Sequence, residues 1–132
     1  YAGATQSIIR ITIAQLFPIK PIHTSTFRWA FSANAALQEE FGEWFPLLMK
    51  GVFPAKVAPL PIPAEERQRI SVPVLFVFGE RDNLVGDPEK ARALVQDIPD
   101  VQVEIIDAGH FMGDEQPDMV NTFILGFFKE SE

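Results

Sequence analysis

Five consecutive apolar residues, Val74, Leu75, Phe76, Val77 and Phe78, stand between Pro73 and Gly79. Nothing else in the chain restricts its fold as much. A short run rich in β-branched and aromatic side chains suits a strand covered on both faces. Gly79 ends the run. Asp87 then offers an N-cap, Pro88 the first helical position and Glu89 an acid in the first turn, a three-part helix start. Ala91, Leu94, Val95 and Ile98 follow at i, i+3, i+4 and i+7, which predicts one apolar helix face. Pro99-Asp100 stops that helix, and Val101–Ile106 is a second strand. The loop Ala108-Gly109-His110 follows. Pro117 opens a last helix with the apolar stripe Val120, Phe123, Ile124 and Phe127. Strand, helix, strand, helix at this spacing predicts parallel strands with right-handed crossovers.

Residues 1–66 are different in character. They are aromatic and irregular, and Pro54, Pro59, Pro61 and Pro63 make a stiff extended connector at their end. Ser7–Leu16 fits a strand by the alternation of Ile9, Ile11 and Ile13, and equally a helix by Ile9, Ile13 and Leu16. Phe27–Phe45 reads as helical, with Leu37, Phe41, Trp44, Phe45 and Leu48 at helical spacing. Pro46 should break or restart the helix. Two or three short helices joined by proline turns are expected. The chain thus divides into residues 1–66, mainly helical, and residues 67–132, a strand–helix–strand–helix unit of α/β class.

The chain has 132 residues, 47% hydrophobic, enough for one domain with a core. Its net charge of −7 is concentrated in residues 61–132, which hold fifteen acidic and six basic side chains. Affinity for phosphates rests on Lys and Arg, so nucleic acid is not an expected partner; a small neutral or apolar molecule is. No run of about 18 apolar residues suggests a membrane span. With no Cys, disulfides, thiolate nucleophiles and cysteine-rich metal sites are excluded, and the cytoplasm is the default compartment. Tyr1-Ala2-Gly3-Ala4-Thr5 resembles neither a signal peptide nor a natural start, so the chain is expected to begin part-way through a longer protein.

Reactive groups gather at the carboxyl ends of strands in a parallel sheet. Asp82 lies four residues past the first strand and His110 four residues past the second. Neighbouring strands lie about 4.8 Å apart, so the two loops should meet. An Asp carboxylate can then accept a hydrogen bond from one imidazole nitrogen and leave the other free as a general base. Asp82 and His110 are therefore the candidate catalytic residues. Asp87 also follows the first strand, but its capping role explains it. His23, between prolines, is expected to be structural or solvent-exposed. Asp114 and Glu115 with His110 do not form a recognised metal-ligand spacing, and no metal or cofactor is expected. Phe27, Trp29, Phe31, Phe41, Trp44, Phe45 and Phe53 are expected mostly in the core of the first part. Any that face the crevice would favour an apolar acyl or alkyl group.

Three segments together resemble the C-terminal part of an α/β-hydrolase: Val74 to Asp82, the helix from Asp87, and Ile105 to Pro117. In that family the acid follows a Gly-x-x-Asp turn, here Gly79-Glu80-Arg81-Asp82. The base sits in a Gly-His turn, here Gly109-His110, before an acidic-Gln-Pro helix start, here Glu115-Gln116-Pro117. The order acid then His fits the family order Ser…Asp…His. Residues 1–66 resemble the cap only by position and aromatic content. The family's Gly-x-Ser-x-Gly does not occur: Ser7, Ser25, Ser32, Ser71 and Ser131 lack the flanking glycines. The resemblance implies an esterase-like enzyme for small apolar esters, of which this chain is the cap and the last two strand–helix units. It would be inactive alone. The alternatives are a non-catalytic binding module with a truncated hydrolase fold, self-associating through exposed sheet edges, and a dehalogenase or epoxide-hydrolase relative with an Asp nucleophile.

Overall fold

A computed structural model describes residues 2–17, 19–31, 35–47 and 62–130. Helix α1 spans Ala2–Leu16, α2 Lys20–Phe31 and α3 Ala35–Phe41. A short turn of helix, α4, covers Ala64–Arg67. Then come strand β1 (Val74–Gly79), helix α5 (Pro88–Val95), strand β2 (Val101–Ile106), the short α6 (Met112–Glu115) and α7 (Pro117–Glu130).

The ambiguous segment at residues 7–16 is helical. Its packing decides this: α1 lies against α2, with Ala14 fully buried between them. A helix leaves its last four carbonyls without intrahelical partners. One of these, the carbonyl of Ala14, accepts a 2.9 Å hydrogen bond from His23 Nε2. His23 is therefore structural and buried, and the solvent-exposed option is ruled out. Helix α2 starts earlier than the aromatic spacing implied. Ile19 caps it, its carbonyl accepting from Ile22 N and His23 N. Pro21 sits in the first turn, where its missing N–H costs nothing. His23, Thr26, Phe27 and Ala30 form the buried stripe of α2, at i, i+3, i+4 and i+7. Two of the four are polar, so hydropathy alone does not reveal it.

The expected helix over Phe27–Phe45 is not continuous. Helix α2 ends at Phe31, α3 runs Ala35–Phe41, the chain turns at 42–44, and residues 45–47 are helical again around Pro46. Phe45 is buried, with its ring 5.1 Å from that of Phe27. These two and Leu37 are the aromatic–aliphatic core of the helical part. Most of the proline-rich connector, and Phe53 in it, lies outside the described residues.

Strands β1 and β2 pair in parallel, in register from Val74↔Val101 to Gly79↔Ile106. Helix α5 packs on β2 and α7 on β1. Asp87 caps α5 as its spacing predicts, accepting from Glu89 N at 3.0 Å, with Pro88 at the first position. The helix ends at Val95, so Ile98 lies beyond it, yet Ile98 is buried; Leu94, by contrast, is exposed. The core-facing set of α5 is thus narrower than the periodicity suggested. Arg67 holds Asp97 through two hydrogen bonds of 2.7 and 2.6 Å, tying α4 to the turn after α5, and its guanidinium keeps the Asp97 carboxyl below the usual range. The strands themselves are only half-buried except at their last residues. A run covered on both faces was expected. Among the described residues the sheet has two strands, so each has an unpaired edge.

Candidate functional site

The carboxyl ends of β1 and β2 are drawn together by backbone hydrogen bonds that continue past the sheet. Glu80 N donates to Ile106 O at 2.8 Å, and Arg81 N to Ala108 O at 2.9 Å. This approach requires glycine at position 79. A Cβ there would lie 2.5 Å from the carbonyl oxygens of both Ala108 and Gly109.

Asp82 follows in a tight turn. Its backbone carbonyl accepts from Gly86 N at 2.8 Å, and Gly86 takes φ 84°, a left-handed conformation that side chains resist. Asp82 is 2% exposed. Its Oδ1 accepts from Leu84 N at 2.8 Å and Val85 N at 3.1 Å. Those two amides orient the carboxylate and leave Oδ2 for another donor. That donor is His110 Nδ1, at 2.9 Å. The structure thus brings together the two residues singled out from the sequence. Because a carboxylate can only accept, Nδ1 carries the proton and Nε2 is the unprotonated, acceptor nitrogen of the neutral ring. The His110 side chain is 39% exposed.

The electrostatics follow from this geometry. Burial pushes the Asp82 carboxyl upward, but the hydrogen bonds from His110, Val85 and Leu84, with the charge of His110, outweigh it and hold the group below 3.8. The hydrogen bond to Asp82 lifts His110 above 6.5, against burial and helped by the Asp82 charge. A lowered acid contributes stability above its unfolded value, which is lost as pH falls through the folded value. A raised base contributes stability below its unfolded value, which is lost as pH rises through the folded value. Both contributions are complete between 3.8 and 6.5. The stability difference between the wild type and Asp82→Ala should therefore be largest in that window and shrink on both sides. Urea midpoints measured across pH check this; a difference that keeps growing above neutrality would refute the assignment.

Five more residues extend from the pair. Phe111 stacks on Phe41 of α3, with rings 5.3 Å apart and 20° from parallel. Trp44 meets Phe41 edge-on at 5.6 Å. An aromatic ladder therefore runs from the helical part to the residue beside His110. Asn83 Nδ2, next to the acid, donates to Trp29 O in α2 at 2.7 Å. Both links depend on tertiary approach and carry no short-range motif. Asp87 is occupied as a cap and does not reach His110 by any hydrogen bond. Among the described residues no cluster of His, Asp and Glu could hold a metal ion. A cleft of about 990 Å³ runs along the acid loop and α5, lined by Asp82, Val85, Pro88 and Leu94 but not by His110. No described helix is long and apolar enough to cross a membrane.

Over 67 residues the chain is 40% identical to the carboxylesterase YbfK of Bacillus subtilis (strain 168), a match covering 48% of this chain and 22% of that protein. Over 66 residues it is 36% identical to the uncharacterized carboxylesterase nap of the same organism, with the same two coverages. The matched part therefore spans about a fifth of the length of these relatives. The structure aligns with the crystal structure of carboxylesterase CesB (YbfK) from Bacillus subtilis at a TM-score of 0.62 and 23% identity, over 92% of this chain and 45% of that one. At that identity the likeness concerns the fold. No family model matches the chain. The likeness to carboxylesterases, in sequence over 48% of this chain and in fold over 92% of it, supports the α/β-hydrolase superfamily.

Proposed function

We propose that this chain supplies the acid and the base of a serine-type carboxylester hydrolase. The observation that carries the reading is the 2.9 Å bond from His110 Nδ1 to an Asp82 carboxylate whose other oxygen is locked by two backbone amides. In this reading His110 Nε2 takes the proton of a serine hydroxyl that lies outside these 132 residues. The serine oxygen bonds to the ester carbonyl carbon, and the imidazolium returns the proton to the departing alkoxide. A water then repeats the sequence to release the acid. Asp82 remains ionised and stabilises the imidazolium.

Residues 1–66 serve as the cap and 67–132 as the last two strand–helix units of the catalytic core. The Trp44–Phe41–Phe111 ladder beside His110 supports a small ester with an apolar acyl or alkyl group. The nucleophile-bearing half of the core would pair with an open edge of the sheet and cover its half-buried strands. The names of both curated relatives favour an ester over the halide or epoxide chemistry of an Asp nucleophile.

The 132-residue chain alone should turn over no p-nitrophenyl ester and take no label from a fluorophosphonate. Turnover that disappears on His110→Ala would place a nucleophile inside the chain and overturn the division of labour proposed.

A non-catalytic interaction module is the second reading. It is favoured by the exposure of Ile9, Ile13 and Leu16 along α1, of Phe17 just past it, and of Leu125 and Phe128 on α7. That module would self-associate through its sheet edges. Light scattering decides: a strict monomer at tens of micromolar removes it.

A further inference from the structure

We propose that Glu115 is a positioning residue for the base: it fixes the Gly109–His110 turn and, through Arg81, couples that turn to the acid loop. The inference rests on the reading of His110 as a base, but its test does not require ester hydrolysis.

Glu115 Oε2 accepts from Gly109 N at 3.1 Å, directly before His110 in the chain. The same oxygen lies 3.4 Å from Arg81 Nη2. Arg81 precedes Asp82 and reaches across to the residues leading into the base: its Nε donates to Asp107 Oδ1 at 2.7 Å and its Nη2 to Asp107 O at 3.1 Å. One guanidinium thus touches both sides of the His110 loop from the acid loop. These contacts are unequal. The Arg81 and Asp107 side chains are 50% and 74% exposed, so water and salt screen that pair and it contributes little. The Glu115 side chain is only 5% exposed. Its Oε1 is buried with no hydrogen-bond partner among the described residues, so Gly109 N–H and Arg81 carry all of its compensation. A buried carboxylate is costly to hold, and this one is aimed at the single amide that sets where the imidazole begins. Asp114, its neighbour, is exposed and has no such contact.

The test is proton NMR titration of the His110 ring in this chain. Glu115→Ala removes the acceptor of Gly109 N–H. Glu115→Gln keeps an oxygen there and removes only the charge. The Ala variant is expected to drop the His110 pKa to that of Asp82→Asn and to lose the downfield Nδ1 proton signal. The Gln variant is expected to titrate like the wild type. Equal drops in both would make the effect one of charge, and no drop in either would leave Glu115 a mere packing residue; each result overturns the proposal. Should Glu115→Ala not fold, Arg81→Met removes the anchor and keeps the Gly109 bond. A partial drop is then expected, and an unchanged titration overturns the proposal. In any preparation that hydrolyses esters, Glu115→Ala should lower kcat by about 10²-fold with KM unchanged, as misplacement of a reacting group by about 1 Å does. Absence of hydrolysis in every preparation would defeat the esterase reading and leave the titration result standing.

Discussion

Gly79→Ala should break the Asp82–His110 hydrogen bond and destabilise the fold by about 1–3 kcal/mol. The added methyl carbon would sit 2.5 Å from two carbonyl oxygens, Ala108 O and Gly109 O, and these belong to backbone that cannot rotate away as a side chain would. Either β1 or the His110 turn must move. The turn is the softer of the two, because past the strand ends it is tied to the acid loop by scattered bonds rather than a ladder: Arg81 N to Ala108 O, the Arg81 side chain to Asp107 and Glu115, and the Asp82–His110 bond itself. The expected signature is a loss of the downfield imidazole proton and a fall of the His110 pKa toward its ordinary value, with a lower urea midpoint. Gly113→Ala is the control: a Cβ there meets nothing within 4 Å, so it should leave the titration unchanged. A Gly79→Ala protein with wild-type His110 titration would show that the strand-end contact does not set the pair.

Asp82→Asn should be more damaging to chemistry than to stability. Leu84 N and Val85 N can only donate, so they select the amide oxygen of the new side chain for their side of the turn. The amide nitrogen is then forced toward His110 Nδ1, where Asp82 Oδ2 stood. That nitrogen is a donor, so His110 Nδ1 must accept and its proton moves to Nε2. The nitrogen that should take the serine proton is then already protonated. In a preparation where this chain is joined to its nucleophile, kcat should fall by about 10⁴-fold. In the chain alone, the His110 pKa should fall relative to the wild type, because both the hydrogen bond and the charge that raise it are lost. A kcat within tenfold of the wild type would contradict the role proposed for Asp82.

The candidate pair was legible in the sequence because every step toward it is local. Val74–Phe78 and Val101–Ile106 are strands by composition, Asp87-Pro88 starts the helix between them, and four residues separate each strand from its reactive group. Pattern at this range survives folding, since helix caps and strand runs are set by the backbone and nearest neighbours. The resemblance to α/β-hydrolases rested on the same segments. The helical part was less legible for a physical reason. At Ser7–Leu16 the β-branched residues satisfied two periods at once, and only burial of Ala14 against α2 and the capping of its carbonyl by His23 chose between them. The stripe His23, Thr26, Phe27 and Ala30 escaped notice because half of it is polar and finds its partners across the helix pair.

From its order of residues alone this chain already determined two parallel strands, the helix joining them, and an acid and an imidazole at the same sheet end. Tertiary structure alone decided how those groups are held. The glycine clearance at 79, the Arg81 guanidinium on Asp107, the Asn83 bond to Trp29 and the stacking of Phe41 on Phe111 all join residues that the sequence does not pair by any repeating interval. Such contacts depend on distances of a few tenths of an ångström between separate loops, and close packing, not periodicity, sets those.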